Sequence, residues 1–337
     1  MILIRADANE KIGSGHVMRC LSIARSITHK GQYVKFVTAD NKGLMLISSY
    51  GFDCEVLDSN YDNLENEIDK LTEIINNEKP SLLLVDSYFV SNRYFNEINK
   101  IVRIAYIDDL NESTWNVDFI INYNISSSEY DYSGYEGTNT RLLLSPYYAP
   151  LRDEFRNLPV HLIKPEVSDV FVSAGGSDPA CISEQIMTYI CPSIPNVNFH
   201  FIIGALNPRI EEIRKLVHRN VILHIDEQHI ADVMKCCDIA ISASGSTLYE
   251  LCSVGVPTII FTLADNQIPA AKIFDRLGIM LNAGDCRFDK DFITKLYTLI
   301  RKLLDDIHLK QRMSINMQQL VDGKGASRIA EQLLISK

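Results

Sequence analysis

His16 stands where a short apolar run hands over to a helical pattern, at the end of Arg5-Ala6-Asp7-Ala8-Asn9-Glu10-Lys11-Ile12-Gly13-Ser14-Gly15-His16. Gly13 and Gly15 let the backbone turn tightly and approach a ligand closely, and the start of the following helix favours an anion. That positive helix end also favours the uncharged imidazole, the form that accepts a proton, so His16 is the candidate general base. The competing reading is a histidine that faces solvent or caps the helix. The loop lacks the third glycine of a dinucleotide fingerprint, and no clear acid ends the second apolar run.

Three further loops carry groups that suit a phosphorylated sugar. Ser173-Ala174-Gly175-Gly176-Ser177-Asp178-Pro179 is either a plain helix start, with Ser or Asp as cap and proline in the first turn, or an amide-rich anion site built on Gly175 and Gly176. Ser242-Ala243-Ser244-Gly245-Ser246-Thr247-Leu248-Tyr249-Glu250 brings amides and hydroxyls of Ser244, Gly245, Ser246 and Thr247 to a helix start, which suits a diphosphate. Glu250, one turn in, is placed to accept hydrogen bonds from ribose hydroxyls. Asn266 and Gln267 are uncharged, two-sided hydrogen-bonders suited to sugar hydroxyls and N-acetyl groups. Asp86-Ser87-Tyr88 ends another apolar run and offers Tyr88 to a sugar pocket, whereas Asp108-Asp109, which mimics a metal-binding acidic pair, reads rather as a solvated turn.

These loops need strands and helices to hold them. Apolar runs predict strands over Ile2–Ala6, Val34–Thr38, Cys54–Leu57, Leu82–Val85, Ile101–Ile107 and Phe119–Ile121. After a break they resume over Val170–Ser173, Phe199–Ile203, Val221–His224, Ile239–Ser242 and Thr258–Phe261. Helical patterns lie between them, the first with Val17, Leu21, Ala24 and Ile27 on one face. Two more close the chain, over Asp289–Leu304 and Ala326–Leu334. The stretch Tyr123–Pro165 has no such alternation and reads as a connection. The expected class is α/β: two Rossmann-like doubly wound domains, residues 1–150 and 165–337, facing a cleft into which the loops after the strands project.

Taken in order, Arg5-x-Asp7, Ile12-Gly13-x-Gly15-His16-x-x-Arg19-Cys20, Val85-Asp86-Ser87-Tyr88, Gly175-Gly176-Ser177-Asp178-Pro179, Ser242-x-Ser244, Glu250, Gly255-x-Pro257 and Asn266-Gln267 resemble one family. It is that of the UDP-sugar hydrolases of the pseudaminic acid pathway, with related spore-coat polysaccharide proteins. The Ser244–Glu250 region is similar to the wider glycosyltransferase-B superfamily. The resemblance implies that fold, a UDP-sugar substrate such as UDP-2,4-diacetamido-2,4,6-trideoxy-β-L-altropyranose, and His16 as the base on water with inversion. It further implies substrate contacts by Arg5, Asp7, Gly13, Gly15, Tyr88, Gly175, Gly176, Cys181, Ser244, Gly245, Ser246, Thr247, Glu250, Asn266 and Gln267. Cys181 departs from the family, which often has asparagine there. A glycosyltransferase of the same fold, or an idle nucleotide-sugar binder, are the alternative readings.

Composition narrows the remaining classes. A length of 337 residues suits two domains, and 46% hydrophobic residues can fill two cores. A formal net charge of −10 argues against nucleic acid or an anionic membrane as partner. No apolar run approaches the roughly 18 residues of a membrane span, and the N-terminal apolar run is too short for a signal peptide. The eight cysteines are scattered without a Cys-x-x-Cys pair, so reduced thiols in a cytoplasmic protein without a zinc site are the expectation. A monomer without metal or cofactor is expected besides.

Overall fold

The structure, a computed structural model, describes residues 1–204 and 207–335. It divides into two compact units, Met1–Asp153 with the segment from Lys324 onward, and Glu154–Gly323.

Among the described residues, the first unit holds strands β1 (Ile2–Ala6), β2 (Val34–Thr38), β3 (Asp53–Val56), β4 (Leu82–Asp86), β5 (Ile104–Ile107), β6 (Phe119–Asn122) and β7 (Arg141–Leu144). Its helices are α1 (Gly15–Thr28), α2 (Leu44–Ser49), α3 (Ile68–Glu78) and α4 (Asn92–Ile98). The strands form one sheet of order β3-β2-β1-β4-β5-β6-β7, with every neighbour pair parallel. Both faces are covered, so the central strands are apolar without alternation: Ile2, Leu3 and Ile4 of β1 and Leu83, Leu84 and Val85 of β4 are wholly buried. The order reverses between β1 and β4, where Ala6 lies in register with Asp86. Loops leaving the carboxyl ends of these two strands therefore diverge and leave room for a site.

The second unit repeats the plan with β8 (Asp169–Ser173), β9 (Asn198–Ile203), β10 (Val221–Ile225), β11 (Ile239–Ala243), β12 (Thr258–Thr262) and β13 (Leu281–Asp285), in the order β10-β9-β8-β11-β12-β13. Its helices are α5 (Ile182–Gln185), α6 (Ile210–Lys215), α7 (Ile230–Cys236), α8 (Thr247–Val254), α9 (Ile268–Arg276), α10 (Phe292–Asp305) and α11 (Ile307–Leu320). α5 runs on into a π-helical turn over Ile186–Ile190. Phe199, Phe201, Ile241, Phe261, Leu296 and Ile300 are among the buried residues of its core.

The last helix, α12 (Gly325–Leu334), returns to the first unit. Its buried face of Ala326, Ile329, Ala330 and Leu333 packs against α1. Gly325 lies so close to the turn at Pro146–Tyr148 that a Cβ there would sit 2.2 Å from the Ala149 carbonyl oxygen. The periodicity of the segment predicts the helix but places it with residues 165–337. The structure differs because its apolar face is complementary to α1, a relation that periodicity does not encode. β7 lies inside the stretch read as a connection, and β13 (Leu-Asn-Ala-Gly-Asp) lacks an apolar run. β5 is shorter than predicted, since Ile101 sits in the turn after α4 and is 41% exposed.

A buried ion cluster ties β1 to the segment before α3. The Arg5 guanidinium, fully buried, donates from Nε and Nη2 to the two oxygens of Glu67 at 2.7 Å each and from Nη1 to Asp7 Oδ2 at 2.6 Å. Glu67 also accepts from Tyr94 Oη and Ser59 Oγ, and Asp7 Oδ1 accepts the Ala39 amide at 2.8 Å. Burial acts against the Arg5 charge, but Glu67 and then Asp7 outweigh it. Removing one partner of such a pair costs about 3–5 kcal/mol, because a charge is left buried. Glu67→Ala should lower the stability of the first unit by that amount. Trp115, the only tryptophan, packs against Phe95 and Tyr106 of this unit. An unchanged urea midpoint of its fluorescence would contradict the account.

Candidate active site

His16 opens the first turn of α1, and Arg19 and Cys20 follow at the i+3 and i+4 positions that share its face. All three reach one carboxylate. His16 Nδ1 lies 2.7 Å from Asp86 Oδ1, Arg19 donates from Nε and Nη2 to Asp86 Oδ2 and Oδ1 at 2.6 Å each, and Cys20 Sγ is 3.6 Å from Oδ2. Arg19 Nη1 donates onward to Asp109 Oδ2 at 2.7 Å and to Tyr123 Oη at 2.8 Å. Tyr88 sets its ring edge-on to the imidazole, with centroids 4.7 Å apart, and donates from its hydroxyl to Asp109 Oδ2 at 3.0 Å. Asn124 donates to the other oxygen of Asp109. Asp86 ends β4, Asp109 follows β5 and Tyr123 follows β6, so three successive strands deliver their carboxyl ends to one helix start.

The protonation pattern follows from these partners. Burial raises the Asp86 carboxyl, but the Arg19 guanidinium and then His16 outweigh it and hold Asp86 well below the usual carboxylate range. An ionised carboxylate only accepts hydrogen bonds, so Nδ1 of His16 carries the hydrogen. Nε2 then presents its lone pair, the arrangement a base requires. His16 is 8% exposed and anchored, which sets aside the solvent-facing and capping readings.

Several other residues of the loop have internal partners. Arg5 and Asp7 belong to the buried cluster described above. Arg5 has no exposed surface, so the expected substrate contact is corrected to an internal tie. Gly13, at φ +72°, makes the turn, and its amide is bound by the Asn9 carbonyl at 2.8 Å. It is therefore not an open donor. Gly15 begins α1, whose start has no side-chain cap. The solvated turn expected at Asp108-Asp109 is also corrected. Asp108 is 2% exposed and accepts the Leu110 and Asn111 amides and Trp115 Nε1, while Asp109 binds Arg19.

In the second unit the two glycine-containing turns differ. Asp178 is buried and its carboxylate accepts the Ile182 and Ser183 amides at 2.9 and 2.8 Å, so it caps α5. A carboxylate already at that helix start disfavours a second anion. Gly175 and Gly176 are exposed, and Gly176 is packed against Gly204 so tightly that a Cβ on Gly204 would lie 2.6 Å from its carbonyl oxygen. Cys181 sits half-buried in the left-handed region at φ +54°.

The turn before α8 has no such cap. The Ser244 and Gly245 amides are bound by the Phe261 and Ala243 carbonyls, which narrows the expected donor set to Ser246 and Thr247 at the helix start. Among the described residues, the buried Ser244 Oγ has no hydrogen-bond partner. A buried polar atom without a partner costs free energy in the free protein and is a capacity that a ligand can fill. Glu250 lies one turn into α8, partly exposed. Asn266 is exposed on the short turn Asp265–Gln267, whereas Gln267 Oε1 accepts the Leu263 amide at 2.8 Å and holds that loop. Of the candidate residues, His16 and Tyr88 meet in the first unit, and Ser244–Glu250 share one turn and helix start in the second.

Sequence reasoning missed the roles of Arg19, Asp109 and Tyr123. For Arg19 the i+3 spacing from His16 was available as a signal. For Asp109 it was a position just beyond an apolar strand adjacent to β4. Tyr123 had none.

No protein-family model matches the chain. It is similar to the spore coat polysaccharide biosynthesis protein SpsG of Bacillus subtilis, 29% identical over 199 residues, covering 58% of this chain and 56% of that one. It is similar to an uncharacterized protein of Methanocaldococcus jannaschii, MJ1062, at 22% over 273 residues, covering 77% and 55%. It is also similar to the UDP-2,4-diacetamido-2,4,6-trideoxy-beta-L-altropyranose hydrolase of Campylobacter jejuni, at 25% over 254 residues, covering 74% and 86%. The chain spans little more than half the length of the first two relatives. Among solved structures it resembles MurG of Acinetobacter baumannii, with a TM-score of 0.70 at 11% identity, covering 98% of each chain. It also resembles the UDP-GlcNAc 2-epimerase of Neisseria meningitidis bound to UDP-GlcNAc, with a TM-score of 0.66 at 12% identity, covering 99% of this chain and 100% of that one. Two parallel-sheet α/β units and these likenesses show the glycosyltransferase-B fold, and the chain is a sequence relative of a UDP-sugar hydrolase.

Proposed function

We propose that the protein hydrolyses a UDP-activated diacetamido-trideoxy sugar to UDP and the free sugar, with His16 as the base, in the pseudaminic acid pathway that the motif resemblance implies. The observation that carries the reading is the His16–Asp86 hydrogen bond, because an ionised acceptor on Nδ1 leaves the Nε2 lone pair to take a proton. The substrate class rests on the similarity to the Campylobacter jejuni hydrolase.

In this reading water attacks the anomeric carbon on the face opposite UDP. Its oxygen forms the new bond, its proton passes to His16 Nε2, and the sugar carbon–oxygen bond breaks with its electron pair leaving on UDP. The anomeric configuration inverts. UDP is a good leaving group, so one base suffices where ordinary glycoside hydrolysis uses two carboxylates. Tyr88, beside the imidazole, lines the sugar site. The Ser246 and Thr247 amides and the Ser244 hydroxyl are assigned to the diphosphate, Glu250 to the ribose and Asn266 to the sugar. Cys181, lacking an amide's donor and acceptor, gives the sugar less hydrogen bonding than asparagine there would.

The fold supports a second reading, a transferase in which the same base deprotonates an acceptor hydroxyl. Incubation with the UDP-sugar alone separates the two. The hydrolase releases UDP without an acceptor, and in ¹⁸O-water the label enters the free sugar. Label in the UDP phosphate would mean that the wrong bond has been assigned. His16→Asn should keep the fold, since asparagine tolerates a helix start, and lower kcat by at least ~10²-fold, the usual worth of a general base.

The nucleotide assignment is tested apart from turnover. Among the described residues the buried Ser244 hydroxyl has no hydrogen-bond partner, so Ser244→Ala should leave the thermal midpoint unchanged or raised. It should weaken UDP binding by about 1.5–3 kcal/mol, the range for a hydrogen bond to a charged group. Equal calorimetric affinities for UDP would remove Ser244 from the site.

A further inference from the structure

We propose that Arg19 and Asp109 are positioning residues that set the proton affinity of His16 in opposite directions, acting through the carboxylate of Asp86. This rests on the reading of His16 as the base.

The charge on the imidazole answers to the groups around it, its carboxylate and Arg19. From α1 come Arg19 and Cys20, from the end of β4 Asp86 and Tyr88, from the loop after β5 Asp109, and from the loop after β6 Tyr123. Burial pushes the Tyr123 phenol up to about 12, and burial followed by Asp109 pushes Tyr88 higher still. The Cys20 thiol is raised by burial and then by Asp86. These three groups stay neutral near pH 7. Two carboxylates therefore share one permanent cation, and the cluster is one positive charge short while His16 is neutral. A proton arriving on His16 closes that deficit at the moment the base has done its work.

How Arg19 is divided decides how strongly Asp86 draws that proton. Two of its nitrogens hold Asp86, and Nη2 also lies 3.2 Å from His16 Nδ1, so the guanidinium opposes the imidazolium directly and occupies its counter-ion. Asp109 draws Nη1 away at 2.7 Å and adds negative charge. Arg19 thus lowers the proton affinity of His16, and Asp109 raises it. A purely structural role for either residue predicts no such pair of signs.

The test is a heteronuclear NMR titration of the His16 imidazole in the substrate-free protein, with the resonance assigned by its loss in His16→Asn. Arg19→Met should raise the midpoint by about one unit, the low end for a charge within a few ångströms of the ring, and Asp109→Asn, whose charge acts through Arg19, should lower it. The acid limb of the kcat–pH profile should move the same way, because the base is lost where it is protonated. Arg19→Met leaves two buried carboxylates without their cation and is the variant at risk of unfolding. Asp109→Asn keeps the hydrogen-bonding shape and carries the test alone if needed. Midpoints that stay with wild type, or that move in one direction for both variants, overturn the proposal. Opposed shifts without UDP release support the charge coupling and overturn the hydrolase reading. UDP release with fixed midpoints overturns the coupling alone.

Discussion

An arginine side chain cannot shed its charge when it is buried, so each one folded into a protein interior dictates where carboxylates must stand. The first unit is organised around two of them. Arg5, next to the last residue of β1, requires Glu67 and Asp7, and so fastens the segment before α3 and the start of the His16 loop to the sheet. Arg19, one turn into α1, requires Asp86 and Asp109, and so draws the ends of β4 and β5 to the helix. His16 inherits its orientation from the second arrangement and its loop anchorage from the first. The catalytic geometry proposed for it is a by-product of neutralising guanidinium groups.

The second unit solves a similar problem with backbone amides. Two of its helices begin after glycine-containing turns, and among the described residues the start of α5 has a carboxylate on its amides. Asp178 completes α5 by accepting two amides, while α8 begins without a side-chain cap and beside a buried hydroxyl that has no partner among the described residues. Near-identical motifs in the sequence thus become opposite electrostatic environments. What separates them is whether an acidic residue lies in the turn or one turn later, as Glu250 does.

The doubly wound plan was legible because buried parallel strands must be continuously apolar and the turns between them glycine-rich. β1 and β2 fall on the predicted residues. β7 and β13 were not legible, since edge strands need not be apolar on both faces. The chemistry divided in the same way. His16 announced itself by its place behind Gly13 and Gly15, and Asp178 by its capping position. Arg5 and Asp7 look like ligand residues in a motif, and only the position of Glu67, 62 residues away from Arg5, reveals that they face inward. Asp109 was misread for the complementary reason: two adjacent acids resemble a wet turn until a buried cation from another element is placed beside one of them.

The return of α12 to α1 makes the second unit an insertion. The chain passes from one unit to the other near Asp153 and back near Gly323, and a Cβ built on Gly323 would lie 2.1 Å from the Phe155 carbonyl oxygen, so the two passages adjoin. Insertions are tolerated where the ends of the inserted body lie close together. During synthesis the order of completion is then reversed from that of the sequence. Glu154–Gly323 can finish folding while α1 still exposes the apolar face that α12 will cover, and the unit that carries His16 closes only when residues 325–334 have left the ribosome.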